Sequence, residues 1–169
     1  HRSLVCASLV ASVVVGPLRD PTLPRVGDHL VEYRRHAVGL VVGLDVGAGP
    51  NVDIVAPSHQ YDASPSSFDT IISTECFEHD MHYRESLRKI VELLKPGGLF
   101  IFTCATTGRK EHGTPRSDGG YASPLTSTME EWRDYYKNLS ESDIREAIDV
   151  EGVFEEFQFQ VHEGVHDLY

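Results

Sequence analysis

Residues 68–103 constrain the fold more than any other part of the chain. They read FDTIIS, then TECFEHD, then an apolar-periodic stretch, then KPGGLFIFT. In that stretch, over 81–95, Tyr83, Leu87, Ile90, Val91 and Leu94 share one face of a helix. Asp80 is placed to cap it, Glu85 and Lys89 form an i,i+4 pair, and Lys95-Pro96-Gly97-Gly98 ends it. The run is a strand, an acidic loop, a helix, a glycine turn and a strand. Such a crossover is right-handed and joins parallel strands. The expected class is therefore α/β: a Rossmann-like doubly wound, mostly parallel sheet with helices on both faces.

The flanking sequence supplies more of the same. Residues 11–15 form a β-branched run stopped by Gly16-Pro17, and 40–46 a second buried strand ended by Gly47-Ala48-Gly49-Pro50. Residues 52–55 read as a short third strand. The gap between the second and third is too short for a crossover helix, so parallel pairing there needs an unusual connection. Asp28 is placed to cap a helix over 29–37. Residues 105–127 form a long loop rich in Gly, Ser, Thr and Pro, of a length that usually serves function. Thr128 to Glu131 form a capping box for a helix through Tyr136, and Ser140 opens another through Ile148. Phe157, Phe159 and Val161 alternate with Gln158 and Gln160, as a strand with one wet face does.

A length of 169 residues suits a single domain over 1–169. The chain opens at His1 and closes at Tyr169, from which a fragment, truncated at one or both ends, is expected. A net charge of −11 argues against a nucleic-acid partner, because phosphate binding needs clustered Lys and Arg. The apolar residues 4–15 are too few to span a bilayer, and no membrane partner is expected. Cys6, Cys76 and Cys104 are odd in number and lack a CxxC pair, so free thiols and a cytoplasmic location are expected.

Ligands of doubly wound sheets sit at the carboxyl ends of the strands. Asp45, ending the second strand, can accept hydrogen bonds from both hydroxyls of a ribose, whereas a structural role would have it cap a neighbouring amide. Reading LDVGAG instead as the glycine loop after a first strand fails on spacing. Only 24 positions separate Asp45 from Asp69, and one βαβ unit takes about 30 residues. The group Glu75, Glu78, His79, Asp80 and His82 lacks a facing HExxH pair, so capping and packing are favoured over a metal site. His79 titrates near neutral pH and is a candidate general base. Arg109, Glu111 and His112 follow the fifth strand at the ligand-bearing edge, where they either read a polar substrate or hold their own loop. Tyr121, Trp132, Tyr135 and Tyr136 either cover that edge or join the core.

The ordered pieces VGLDVGAGPNVDIV, SFDTIISTECFEHD and LLKPGGLFIFT, within 42–103, resemble the class I S-adenosylmethionine-dependent methyltransferases of the small-molecule type. The resemblance implies that S-adenosylmethionine is the cofactor. Asp45, with Val46 beside it, would hold the ribose. The turn Pro57-Ser58-His59 would contact adenine, and Thr74 and Glu75 would lie near the methionine part. The family's glycine turn after the first strand maps onto SVVVGPLRD, where Gly16 stands alone and Pro17 lacks a backbone donor. The implied activity is methyl transfer to a small polar acceptor, such as a sugar or glycan-related molecule. Such transfer rests mainly on positioning, worth about 7–11 kcal/mol, with His79 or His112 as base for a hydroxyl of high pKa. The competing expectation is a non-catalytic Rossmann-like interaction module. A dehydrogenase is disfavoured because no dinucleotide fingerprint is present.

Overall fold

The computed structural model describes residues 11–14, 41–49, 52–117 and 130–169. The strands are β1 (Ala11–Val14), β2 (Val41–Asp45), β3 (Ile54–Val55), β4 (Phe68–Thr74), β5 (Leu94–Ala105), β6 (Val161–His162) and β7 (Asp167–Leu168). The helices are α1 (Tyr83–Leu93), α2 (Glu130–Arg133), α3 (Glu141–Ala147) and α4 (Val150–Val153), with a 3-10 turn at Ser58–Gln60. The strands form one sheet in the order β3-β2-β1-β4-β5-β7-β6. The fold is α/β and Rossmann-like. The expected helix over 29–37 and the capping box opening at Thr128 lie outside the described residues.

The sheet is mixed rather than mostly parallel. β2 pairs with β3, and β4 with β5, in parallel. β1 runs antiparallel to both neighbours, and β7 is antiparallel to β5 and β6. Ala11 lies opposite Leu44 on one side and Ser73 on the other, while Val14 lies opposite Val41 and Thr70. The carboxyl ends of β2 and β4 therefore share an edge, one strand apart, and β1 presents its amino end there.

The parallel β2–β3 pair forms without a long crossover, because its ladder is only two rungs, Leu44 with Ile54 and Asp45 with Val55. Asp53 completes the connection: its backbone N–H donates to the Gly43 carbonyl at 2.8 Å, and its Oδ2 accepts from the Gly43 N–H at 2.7 Å. β3 is accordingly shorter than the 52–55 expected.

The helix of 81–95 is α1, trimmed at both ends. Of the expected face, Tyr83, Leu87 and Ile90 are buried, Val91 is half-buried and Leu94 passes into β5, while Leu93 is buried beside them. The N-cap is His82 rather than Asp80, with no side-chain cap bond; Asp80, two residues earlier, braces the entrance, its Oδ1 accepting from the His82 N–H at 2.8 Å and its Oδ2 from the Ser86 hydroxyl at 2.5 Å. The surface ion pair joins Lys89 to Glu92 at 2.8 Å, not to Glu85. At the far end, the carbonyls of Glu92 and Leu93 accept from the backbone N–H groups of Ser66 and Ser67. The chain entering β4 thus satisfies orphan carbonyls that a glycine cap satisfies elsewhere. Freed from that task, Lys95-Pro96-Gly97-Gly98 becomes a bulge inside β5. Phe68 pairs with Leu94 and Thr70 with Leu99, so the intervening residues of β5 loop out. Gly97 takes φ +73°, and a Cβ on Gly98 would lie 2.8 Å from the Lys95 carbonyl oxygen.

The core gathers α1, β4, β5 and the C-terminal helices: Ile71, Phe77, Tyr83, Leu87, Phe102, Leu139, Ile144 and Leu168 are all buried. Ser140 caps α3 through a full box with Asp143, as its sequence position predicts. α2 ends at Arg133, short of Tyr136. The alternation over 157–161 does not yield a strand of that length. Phe159 turns inward against Phe102, at 6.2 Å between ring centroids, Phe157 stays exposed, and only Val161–His162 pair.

Candidate active site

The edge that carries the carboxyl ends of β2, β3, β4 and β5 is where the candidate residues collect. Asp45 ends β2 and is buried. Its Oδ1 accepts from the Gly47 N–H at 2.8 Å, and its carbonyl from the Ala56 N–H at 2.9 Å. This is the turn-capping role weighed against ribose binding, seen directly for one carboxylate oxygen. Val46 beside it is half-buried. Gly16 lies outside the described residues. β1, which leads toward it, exits at Val14 on the edge opposite Asp45 and Thr74, because the strand is reversed.

After β3, Ser58 and His59 lie in the 3-10 turn, with Pro57 as its N-cap. His59 packs against His82 at 4.3 Å between ring centroids and lies nearly parallel to Trp132 at 6.3 Å. Burial and the neighbouring His82 lower its pKa. Trp132, buried, thereby joins the chain after β3 to the entrance of α1.

After β4, Thr74 pairs with Thr103, and Glu75 takes φ +51°. A non-glycine residue in that region carries about 1–3 kcal/mol of strain. The Thr103 carbonyl offsets it by accepting from the Glu75 N–H at 2.7 Å, and the Thr103 hydroxyl donates to Glu75 Oε1 at 3.0 Å. Burial and Asp167 raise the Glu75 pKa, against the Thr103 hydrogen bond and Arg109. Arg109 lies 3.9 Å from Glu75 and 3.1 Å from Asp167, while Glu111 accepts from Thr114 and Arg116. Glu111 thus bonds within its own loop, whereas Arg109 ties that loop to Asp167 of β7 and to the loop after β4.

The loop after β4 delivers Glu78 and His79 inward. Glu78 is fully buried, and neither carboxylate oxygen has a hydrogen-bond partner. Burial first, and then Glu75, push its pKa well up. His79 is buried, and burial with the neighbouring His112 lowers its pKa to about 4. His112 reaches the same place from the loop after β5, its ring centroid 5.0 Å from that of His79. Tyr136 closes the group, 5.4 Å from His79 and 5.1 Å from His112. The two candidate bases are thus neighbours. An imidazole with a pKa of about 4 is a weak proton acceptor for a hydroxyl, which shifts that role toward the less buried His112. Cys76 and Cys104 are free thiols, and Cys6 and Tyr121 lie outside the described residues.

Residues 31–102 match the family model described as a methyltransferase domain. The matched segment runs through β2, β3, β4 and α1 to Phe102 in β5, and so contains Asp45, His59, Thr74, Glu75 and His79, while His112 and Tyr136 lie beyond it. No curated protein matches the chain. Among solved structures, the chain is similar to the [4+2]-cyclase SpnF, with 18% identity, TM-score 0.44, and coverage of 69% of this chain and 38% of that one. It is also similar to the 1,6-didemethyltoxoflavin-N1-methyltransferase of Burkholderia thailandensis, solved with 1,6-didemethyltoxoflavin and S-adenosylhomocysteine. There identity is 19%, the TM-score 0.47, and coverage 74% of this chain and 56% of the other. The chain therefore spans well under two thirds of either protein.

Sequence reasoning missed Thr103 and Asp167 as partners of Glu75 and Arg109. Thr103 had a signal, since a parallel partner of β4 must end level with Thr74. Asp167 had none, as its approach depends on β7 joining the sheet from the far end of the chain. Among the described residues, no helix is long and apolar enough to cross a membrane.

Proposed function

We propose that this protein transfers a methyl group from S-adenosylmethionine to a small polar acceptor of the sugar or glycan-related class, acting in the cytoplasm on a free small molecule. The family match over 31–102 carries the reading, because it spans the strands whose carboxyl ends bear the candidate residues. In it, Asp45 and Val46 hold the ribose, Ser58 and His59 face adenine, and Thr74 and Glu75 border the methionine part. His112, with His79 packed against it, receives the acceptor proton. A positively charged sulfonium suits an edge that carries acidic side chains, and Asp45 and Glu75 lie there.

A second reading, a non-catalytic module with weak or no cofactor binding, is favoured by the reversed β1. The family's glycine turn follows a strand ending beside Asp45, and here β1 presents its amino end at that place. Calorimetry with S-adenosylhomocysteine separates the two. Saturable heat that is lost in Asp45→Ala is expected for the enzyme. No heat at millimolar ligand would establish the module.

A further inference from the structure

We propose that Glu78, His79 and His112 form a binding site for one divalent first-row transition ion. Each offers one ligand atom, and the three atoms lie within 4.8 Å of one another. The His112 Nε2 is 3.9 Å from Glu78 Oε1. Donors about 2.0–2.2 Å from one ion stand roughly 3–3.5 Å apart, so inward movements of up to roughly 1.3–1.8 Å close the site. His112 is the member able to make them, being half-buried on a loop, whereas the other two are fixed in the interior.

A second observation points to a ligand there. Both Glu78 oxygens and the His79 Nδ1 are buried without a hydrogen-bond partner. Buried polar atoms are paired in nearly all folded proteins, and orphaned atoms on two members of such a cluster call for an explanation. A cation supplies one: it takes the carboxylate in ionised form and accepts lone pairs from two neutral imidazoles. Two imidazoles and one carboxylate suit iron(II), cobalt(II) and zinc(II) better than magnesium or calcium, which take oxygen ligands. Three protein ligands also leave coordination positions open, the arrangement of a site that accepts an exogenous donor. Tyr136 packs against both imidazoles and limits solvent.

The site is argued from these three side chains alone; an ion-bound His112 no longer accepts a proton, so the site stands in place of its role as base, and its test does not depend on methyl transfer. The protein, stripped with chelator, is titrated with cobalt(II) at pH 7.5 and followed by visible d–d absorption. One saturable equivalent is expected, displaced by zinc(II). Glu78→Gln and His112→Ala are each expected to weaken binding at least tenfold. His162→Ala, at an exposed histidine of β6, is expected to bind like wild type. Circular dichroism confirms that each variant is folded, and His112→Gln replaces His112→Ala if that variant is not. No saturable equivalent in the wild type, or wild-type affinity in folded Glu78 and His112 variants, overturns the site.

Discussion

Replacing Glu78 by Gln should reshape the pH dependence of stability, and the size of the effect follows from where the carboxyl sits. Glu78 is fully buried with no hydrogen-bond partner, and burial raises its pKa well above the ordinary 4.5. In the unfolded chain the same group ionises near pH 4.5. Above that pH the unfolded state has released a proton that the folded state still holds. Stability therefore falls as pH rises, by a factor of ten in the folding equilibrium, about 1.4 kcal/mol, for each unit over which the folded carboxyl remains protonated. Gln has nearly the same shape and does not titrate, so the variant escapes this loss. Below pH 4.5 the variant should be equal to the wild type or slightly weaker, because its amide buries donors that lack partners. Above pH 4.5 the difference should swing toward the variant by about 1.4 kcal/mol per pH unit, until the folded carboxyl itself ionises. The lowered pKa of His79 opposes the trend, since stability from a neutral buried imidazole is lost as pH falls from 6.5 toward about 4. The histidine is present in both proteins, so to first order it cancels in the difference. Urea unfolding of both proteins at half-unit intervals from pH 4 to 8, with chelator present, measures this directly. Parallel profiles would refute a carboxyl held protonated by burial.

The remaining tests probe the scaffold and the two proposals. Leu87→Ala, at a fully buried position of α1, should cost about 2–5 kcal/mol in urea unfolding, and an unchanged midpoint would place α1 outside the core. Ser140→Ala removes the side-chain acceptor of the α3 capping box and should cost about 1 kcal/mol, lowering the melting temperature by roughly 2–4 °C. Asp45→Ala should abolish the calorimetric signal of S-adenosylhomocysteine. Glu78→Gln and His112→Ala should each weaken cobalt binding at least tenfold, as read by absorption.

The local alternation of elements was legible from the sequence because each signal lies within a few residues. α1 follows from apolar spacing and α3 from the Ser140 box, and both stand in the structure, while the cap of α1 falls on His82 two residues past Asp80. Asp45 was likewise legible as the residue ending β2, since a glycine run must follow a strand that stops there. Signals read from composition without a partner fared less well. Lys95-Pro96-Gly97-Gly98 stops a helix only if no other segment satisfies the helix carbonyls, and Ser66 and Ser67 do so here. The alternation over 157–161 has the period of a strand, but Phe159 packs against the core instead.

What only the tertiary structure decided is strand direction and the meeting of distant side chains. A run such as ASVV fits a buried strand pointing either way, since β-branched packing has no polarity, so its antiparallel seat between β2 and β4 is fixed by long-range pairing alone. Glu78 and His79 read as helix-entrance residues until the loop after β5 brings His112 against them, and that approach depends on the parallel register of Thr74 with Thr103. Local propensity sets which segments become helices and strands, while burial and hydrogen bonding summed over the whole sheet set what stands beside what.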